Sequence, residues 1–300
     1  MRITVLGSGS NGGVPQWDCC CPNCTKARAD TRFRRTRSSV AISLDGGQHI
    51  LIDATPDLKL QLETVGLVPK PKEAEFGRQS RIDGVLLTHG HGDHCVGIAE
   101  FSTGKSFEVP VYAPHDLIQF LFGFPGEARF FSDLGRLARD YVKPHALTEG
   151  DRLEFLGGLR VTGFQIDHTD SLEDGSYFPS STFGYELKAD GGRFIYTPDL
   201  GLLTDDLLKR VEGANLFMLD GTFWWNDELT RISGLKKTSY ELGHVPIEES
   251  LEKLRGKNVD RVVYTHFNHT NPLLDMGQPS AARLNELGFE IAYDGMTINL

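Results

Sequence analysis

The sequence predicts an α+β chain in which helices cover two packed sheets, organised as a single domain over residues 1–300. Three observations predict it. Short β-rich apolar runs alternate with stretches whose apolar residues recur every three or four positions. Asp45-Gly46-Gly47 and Asp190-Gly191-Gly192 stand between paired runs, where they read as hairpin turns. No shift in composition, fixed-period repeat or low-complexity tail divides the chain.

Taken in order, the strand segments are 2–6, 38–44, 48–52, 82–88, 109–112, 159–167, 182–189, 193–197, 215–220 and 260–265. The helical segments are 57–65, 114–122, 203–212, 246–254 and 278–287. Asp205 and Asp206 near the start of the third suit the positive end of a helix dipole. Residues 66–80, with Pro69, Pro71 and Gly77, and residues 169–181 read as surface loops.

Bulk properties narrow the function. A hydrophobic fraction of 39% suffices for one large core. A formal charge of −10 argues against wrapping nucleic acid or lying on anionic membranes, so no partner of either kind is expected. No apolar run approaches the ~18 residues of a membrane span. Met1–Leu6 reads as a strand entering a glycine-rich turn, not a secretory leader, and the expected compartment is the cytoplasm. Cys19, Cys20, Cys21 and Cys24 crowd together, which suits a metal better than disulfides; Cys95 stands apart and is expected to pack. Arg32, Arg34, Arg35 and Arg37 form a basic segment, either a solvated turn or an anchor for an anion or a neighbouring carboxylate.

Gly7-Ser8-Gly9-Ser10-Asn11-Gly12 follows a strand and matches the dinucleotide fingerprint in letters. The following Gly13-Val14-Pro15-Gln16-Trp17 cannot open the helix that would hold a pyrophosphate, so the segment reads as a turn of close backbone approach.

The main chemical signal is Thr88-His89-Gly90-His91-Gly92-Asp93-His94, directly after the apolar run 84–87. It puts four ligands on one short loop: His89 and His91 suit one metal, Asp93 and His94 a second. Gly90 and Gly92 are expected to permit an unusual backbone path. His168, Asp199 and His266 each follow an apolar strand, so the same layout of a ligand at a strand tip recurs three times. The nitrogen and oxygen donors suit two divalent metals, Zn, Mn or Fe, without choosing among them. Separately, Cys19, Cys21 and Cys24 supply three thiolates for a structural zinc, and His269 is the best candidate for the fourth ligand. Cys20 is a bystander.

These residues resemble the metallo-β-lactamase superfamily over the whole chain, which implies an αββα sandwich of two packed mixed sheets flanked by helices. The resemblance implies that His89, His91 and His168 hold one metal, that Asp93, His94 and His266 hold the other, and that Asp199 bridges. It further implies a metal-bound water whose pKa falls towards neutrality. Within the superfamily, Gly12-Gly13-Val14-Pro15-Gln16-Trp17, Asp220-Gly221-Thr222-Phe223-Trp224, Gly243-His244-Val245-Pro246-Ile247 and the ending Ala292-Tyr293-Asp294-Gly295-Met296 resemble the pyrroloquinoline quinone biosynthesis B family. Members of that family often have a degraded histidine loop, no bridging Asp, and Asn in place of His269. The complete ligand set here resembles instead the cyclic phosphodiesterase branch of phosphonate breakdown and, more distantly, the tRNA-processing endonucleases. Asp93, itself a ligand, and His244, as general acid on a leaving oxygen, are therefore the catalytic candidates.

The expected activity is that of a metal-dependent hydrolase or oxygenase acting on a small-molecule or peptide-derived substrate in cofactor biosynthesis, with phosphodiester or other ester hydrolysis as the alternative. A homodimer is compatible with the sequence. Phe223, Trp224, Trp225 and Tyr177 are expected near the rim of the site, with packing the alternative for each; His49, His115 and His145 are assigned to packing or surface.

Overall fold

The computed structural model describes residues 1–70, 79–103, 108–123, 141–155, 157–168, 181–275 and 277–300. One seven-stranded sheet has the order β14-β1-β2-β3-β4-β5-β6, with β1 Arg2–Gly7, β2 Ser39–Ser43, β3 His49–Ile52, β4 Ile82–Leu86, β5 Val109–Pro114, β6 Val142–Leu147 and β14 Thr297–Asn299. The other has the order β13-β12-β11-β10-β9-β8-β7, with β7 Arg152–Phe155, β8 Leu159–Ile166, β9 Thr182–Ala189, β10 Gly192–Thr197, β11 Leu216–Asp220, β12 Val262–Thr265 and β13 Glu290–Ile291. In each sheet antiparallel neighbours at one side give way to parallel ones at the other.

Alternation along the strands builds the layers. In β11, Leu216 and Met218 enter the core between the sheets, while Phe217 and Leu219 point to the outer core. In β3, Ile50 and Ile52 face inward and Leu51 outward. Strands apolar on both faces need a cover on each side. On the first sheet that cover includes α2 (Leu58–Thr64) and α4 (His115–Phe122). On the second it includes α5 (Asp205–Val211), α7 (Ile247–Leu254) and α8 (Pro279–Glu286). The result is the expected αββα sandwich.

Both Asp-Gly-Gly turns join antiparallel neighbours, β2 to β3 and β9 to β10. Thr204 caps α5 by accepting from the Leu207 N–H, with Asp205 and Asp206 in the first turn. Among the described residues, four strands lie outside the expected set: β6, β7, β13 and β14. So do helices α1 (Pro22–Ala29), α3 (Gly92–Cys95) and α6 (Glu228–Ser233). Residues 66–70 and 79–80 carry neither helix nor strand, whereas 71–78 and 169–180 lie outside the described residues. His49 is buried in β3, and His145 stacks on Tyr112 at 4.9 Å between ring centres.

Among the described residues no helix is long and apolar enough to cross a membrane.

Candidate metal centre

The strands of both sheets end at one edge, and their tips deliver the polar residues. After β4 the chain passes through Thr88 to His89; α3 then turns Asp93 and His94 back beneath the loop, with the His94 N–H donating to the His91 carbonyl at 2.9 Å. His168 lies two residues past β8, Asp199 two past β10, and His266 directly follows β12. Ligand atoms of His89, His91, His168 and Asp199 lie within 4.8 Å of one another, and so do those of Asp93, His94 and His266. The two groups adjoin: His94 Nε2 is 3.2 Å from His266 Nε2 and 3.2 Å from Asp199 Oδ2. Asp199 Oδ1 is 3.4 Å from His266 Nε2 and 3.8 Å from His168 Nε2. Asp199 therefore stands between the groups, as the bridge assignment requires.

The imidazole tautomers fit a cation. His168 donates from Nδ1 to the Gly243 carbonyl at 2.7 Å, leaving Nε2 buried with no hydrogen-bond partner. A buried lone pair aimed at other ligand atoms is what a metal satisfies. Burial pushes the His168 pKa down to about 4, and burial with His94 and His91 nearby holds His89 well below its ordinary value. Both are thus neutral donors at pH 7. Burial opposes a charge on His94, but the carboxylates of Asp199, Asp93 and Asp53 outweigh it and raise its pKa well above the ordinary value. Burial likewise works against the charge on Asp93 and Asp199, yet the surrounding histidines hold both carboxyls down. The pocket is therefore a set of charged and lone-pair groups held together without solvent, suited to divalent cations.

Two buried carboxylates that sequence reasoning missed orient this set. Asp53, at the tip of β3, accepts from the backbone and hydroxyl of Thr88 and pairs with His94 Nδ1 at 2.8 Å. Asp220, the last residue of β11, accepts from Thr222 Oγ1 at 2.6 Å and pairs with His244 Nδ1 at 2.6 Å. Thr222 Oγ1 in turn meets His266 Nδ1 at 2.8 Å. Each half of the sandwich thus supplies an Asp–Thr pair behind its histidines. The available signal was position: Asp53 follows an apolar strand just as Asp199 does.

Gly90 and Gly92 do not supply the unusual backbone path expected of them. Neither has a positive φ; Gly92 opens α3, and a Cβ there would meet only Val96 at an ordinary 3.6 Å. Among the described residues other than glycine, the left-handed ones are Asp53 (φ 66°) and His266 (φ 62°). For side chains with a Cβ this conformation costs energy and persists only when the surroundings impose it.

His244 is buried, with a ring nitrogen within 4.8 Å of the ligand atoms of Asp199 and His266. Burial disfavours its charge, but Asp220 raises its pKa. Phe223 contacts its ring edge at 5.8 Å between centres. Trp224 is buried in the outer core and Trp225 packs against that core, so packing is the reading the structure favours for both. Tyr177 lies outside the described residues.

The cysteines form a second group. The Sγ atoms of Cys19, Cys21 and Cys24 and a nitrogen of His269 lie within 4.8 Å of one another, with Cys19 and Cys21 at 3.4 and 3.5 Å from His269 Nδ1. Cys20 is exposed and outside the group, and Cys95 is buried with its thiol on the Gly90 carbonyl. Three thiols and one imidazole are a donor set for tetrahedral zinc. The glycine-rich turn reaches the same region: Ser10 donates to the Phe267 carbonyl and Phe267 to the Ser8 carbonyl. A Cβ on Gly7 would lie 2.0 Å from the Arg37 carbonyl, so close approach is its role.

With this geometry in view, comparison with known proteins settles the family. Residues 48–267 match the beta-lactamase superfamily domain. The chain belongs to that superfamily. Within it the chain belongs to the coenzyme PQQ synthesis protein B family: the protein from Methylobacterium radiotolerans is 33% identical, with 100% of both chains covered. Zn(2+)-bound PqqB from Methylobacterium extorquens superposes with a TM-score of 0.86 at 31% identity, again covering 100% of both. A diphosphatase from the PhnP family shares the superfamily fold, with a TM-score of 0.71 at 22% identity, covering 100% of this chain and 97% of the other.

Proposed function

We propose that the chain is a metalloenzyme of coenzyme PQQ biosynthesis whose seven clustered ligands hold two divalent metals, with a structural zinc at the cysteines. The observation that carries this reading is the convergence of His89, His91, His168 and Asp199 with Asp93, His94 and His266 in a chain 33% identical to coenzyme PQQ synthesis proteins. Metals bound there would activate water or dioxygen towards a small or peptide-derived substrate. The protein's own groups do the rest. Asp53 fixes the ring of His94, Thr88 that of His89, and Thr222 that of His266. His244, whose Nδ1 proton is held by Asp220, presents its other nitrogen beside Asp199 and His266 as a proton donor. Asp93 combines ligation with a charge beside the reacting centre.

Elemental analysis of protein purified without chelators tests the proposal. Three metals per chain are expected, with iron in the paired site and substrate-dependent oxygen uptake for the oxidative chemistry. Asp199→Asn should lower the content of the paired site; unchanged stoichiometry and activity would overturn the bridge. The complete ligand set with His244 favours one second reading, ester hydrolysis: zinc or manganese in the paired site, with turnover of an aryl phosphodiester and no oxygen uptake, would establish it instead.

A further inference from the structure

We propose that a cavity on the flank of the first sheet binds a small carboxylate carried on a flat apolar body. The cavity, of about 590 Å³, lies between the arginine segment, α2 and the chain at 291–294. Its size falls within the range of about 300–1,000 Å³ typical of small-ligand sites. None of the metal-centre residues lines it.

Its walls combine two features. Leu60 and Tyr293 are 60% and 51% exposed, an apolar pair left open to solvent. Beside them stand Arg32, Arg34 and Arg35, three cations against one lining carboxylate, Asp294, which faces Arg35 electrostatically. The carboxylates nearby are already committed. Asp30 pairs with Arg32. Asp294 accepts from Ser8 through one oxygen and from Thr36 through the other. Asp57 pairs with Arg37, which does not line the cavity. Among the described residues Arg34 and Arg35 have no carboxylate at ion-pair distance. Arg35 is held in place by the carbonyls of Arg32 and Arg34 on Nη1, while its buried Nε has no partner.

A guanidinium held by backbone carbonyls presents a planar fork that recognises a planar anion better than a lysine would. The adjoining tyrosine and leucine select a ligand with a flat apolar part. A volume of this size suits a small molecule.

The test uses the metal-loaded protein and calorimetric titration with 2-naphthoate, against 2-naphthamide and acetate as controls. One saturable site is expected, with the amide and acetate each at least about tenfold weaker. Arg35→Gln should weaken 2-naphthoate about tenfold without changing metal content. Tyr293→Ala should weaken naphthoate and naphthamide alike. Equal binding of naphthoate and naphthamide would overturn the proposal, as would binding that neither variant changes. Naphthoate binding that vanishes when the metals are removed, while both variants bind normally, would assign the anion to the metal centre and also overturn it.

Discussion

The two ligand clusters meet within four residues of sequence, at His266 and His269, yet they are built in opposite ways. The paired centre takes its ligands from strand tips of both sheets, and Asp53 and Asp220 stand behind its rings. Hydrogen bonds from within the sandwich orient its rings. The cysteine centre takes three ligands from residues 19–24 and a fourth from a distant loop, and Cys19 and Cys21 are only partly buried. Protein contacts there run mainly to backbone: Asn23 donates to the carbonyls of His269 and Asn271, Arg28 to those of Cys19, Gln16 and Trp17, and the backbone N–H groups of Gln16 and Cys21 donate to Cys24 Sγ and Cys19 Sγ. Buried carboxylates thus brace the first centre from behind, whereas backbone groups brace the second, whose order is expected to depend more on its ion.

The largest effect that would break this contrast is expected at Cys24. Burial raises its thiol to about 12 in the absence of metal, so zinc must displace that proton to bind. Structural zinc sites are worth ~10–16 kcal/mol over four ligands, which is about 3 kcal/mol, or on the order of 10²-fold, for each. Cys24→Ser should therefore lower zinc affinity by about 10²-fold or more, measured by competition with a chromogenic chelator. It should also lower thermal stability. Hydrogen exchange should quicken at residues 19–24 and 268–271 and stay slow at the tips of β4, β10 and β12. Equal loosening of both regions would refute the contrast.

A middle-sized effect is expected at Asp53. Asp53→Asn keeps the side chain's shape but weakens its hold on His94 and Thr88. Partners of this kind typically contribute 10–100-fold to metal affinity, and that is the expected loss at the paired centre. Zinc at the cysteines should be unaffected, and metal content resolved by site would show it. A loss at both centres would mean that Asp53 supports the fold at large instead of one ligand.

The same contrast explains what could be read without coordinates. His89 to His94, His168, Asp199 and His266 were legible because each interrupts or ends an apolar strand, where a polar residue is conspicuous. Cys19, Cys21 and Cys24 were legible by spacing alone. Asp53, Thr88 and the partnership of Asp220 with Thr222 were not, because their role depends on pairs 35 and 22 to 44 residues apart. The missed elements have equally specific causes. β6 includes Pro144 and exposes three successive residues, as an edge strand can. β13 and β14 are two and three residues long, too short for a period to show. In α1 only Cys24 and Ala27 are buried, so no apolar stripe marks it. Gly90 and Gly92 misled in the other direction, since the strained backbone belongs to Asp53 and His266.

Glu228 offers the smallest and sharpest probe, because it touches the loop that joins the two centres. It opens α6, accepts from Thr270 Oγ1 at 2.5 Å and from the Trp224 N–H at 2.6 Å. Burial raises its pKa from 4.5 to about 7, against the lowering effect of those hydrogen bonds. A carboxyl raised in the folded state binds more protons there than in the unfolded chain. Its contribution is complete below pH 4.5 and is lost as pH rises through about 7. A tenfold change in proton affinity is about 1.4 kcal/mol, so the whole difference is at most about 3 kcal/mol. Glu228→Gln mimics the protonated side chain: its oxygen can accept from Trp224 and its amide can donate to Thr270. The variant should match the parent's stability near pH 5 and exceed it by up to about 3 kcal/mol above pH 8, measured by urea unfolding of the metal-loaded protein. If the gain appears with the metals bound and disappears in Cys24→Ser, Glu228 reports on the loop only while zinc holds it. A gain of the same size in both backgrounds would place Glu228 with the sandwich, on the preorganised side of the divide.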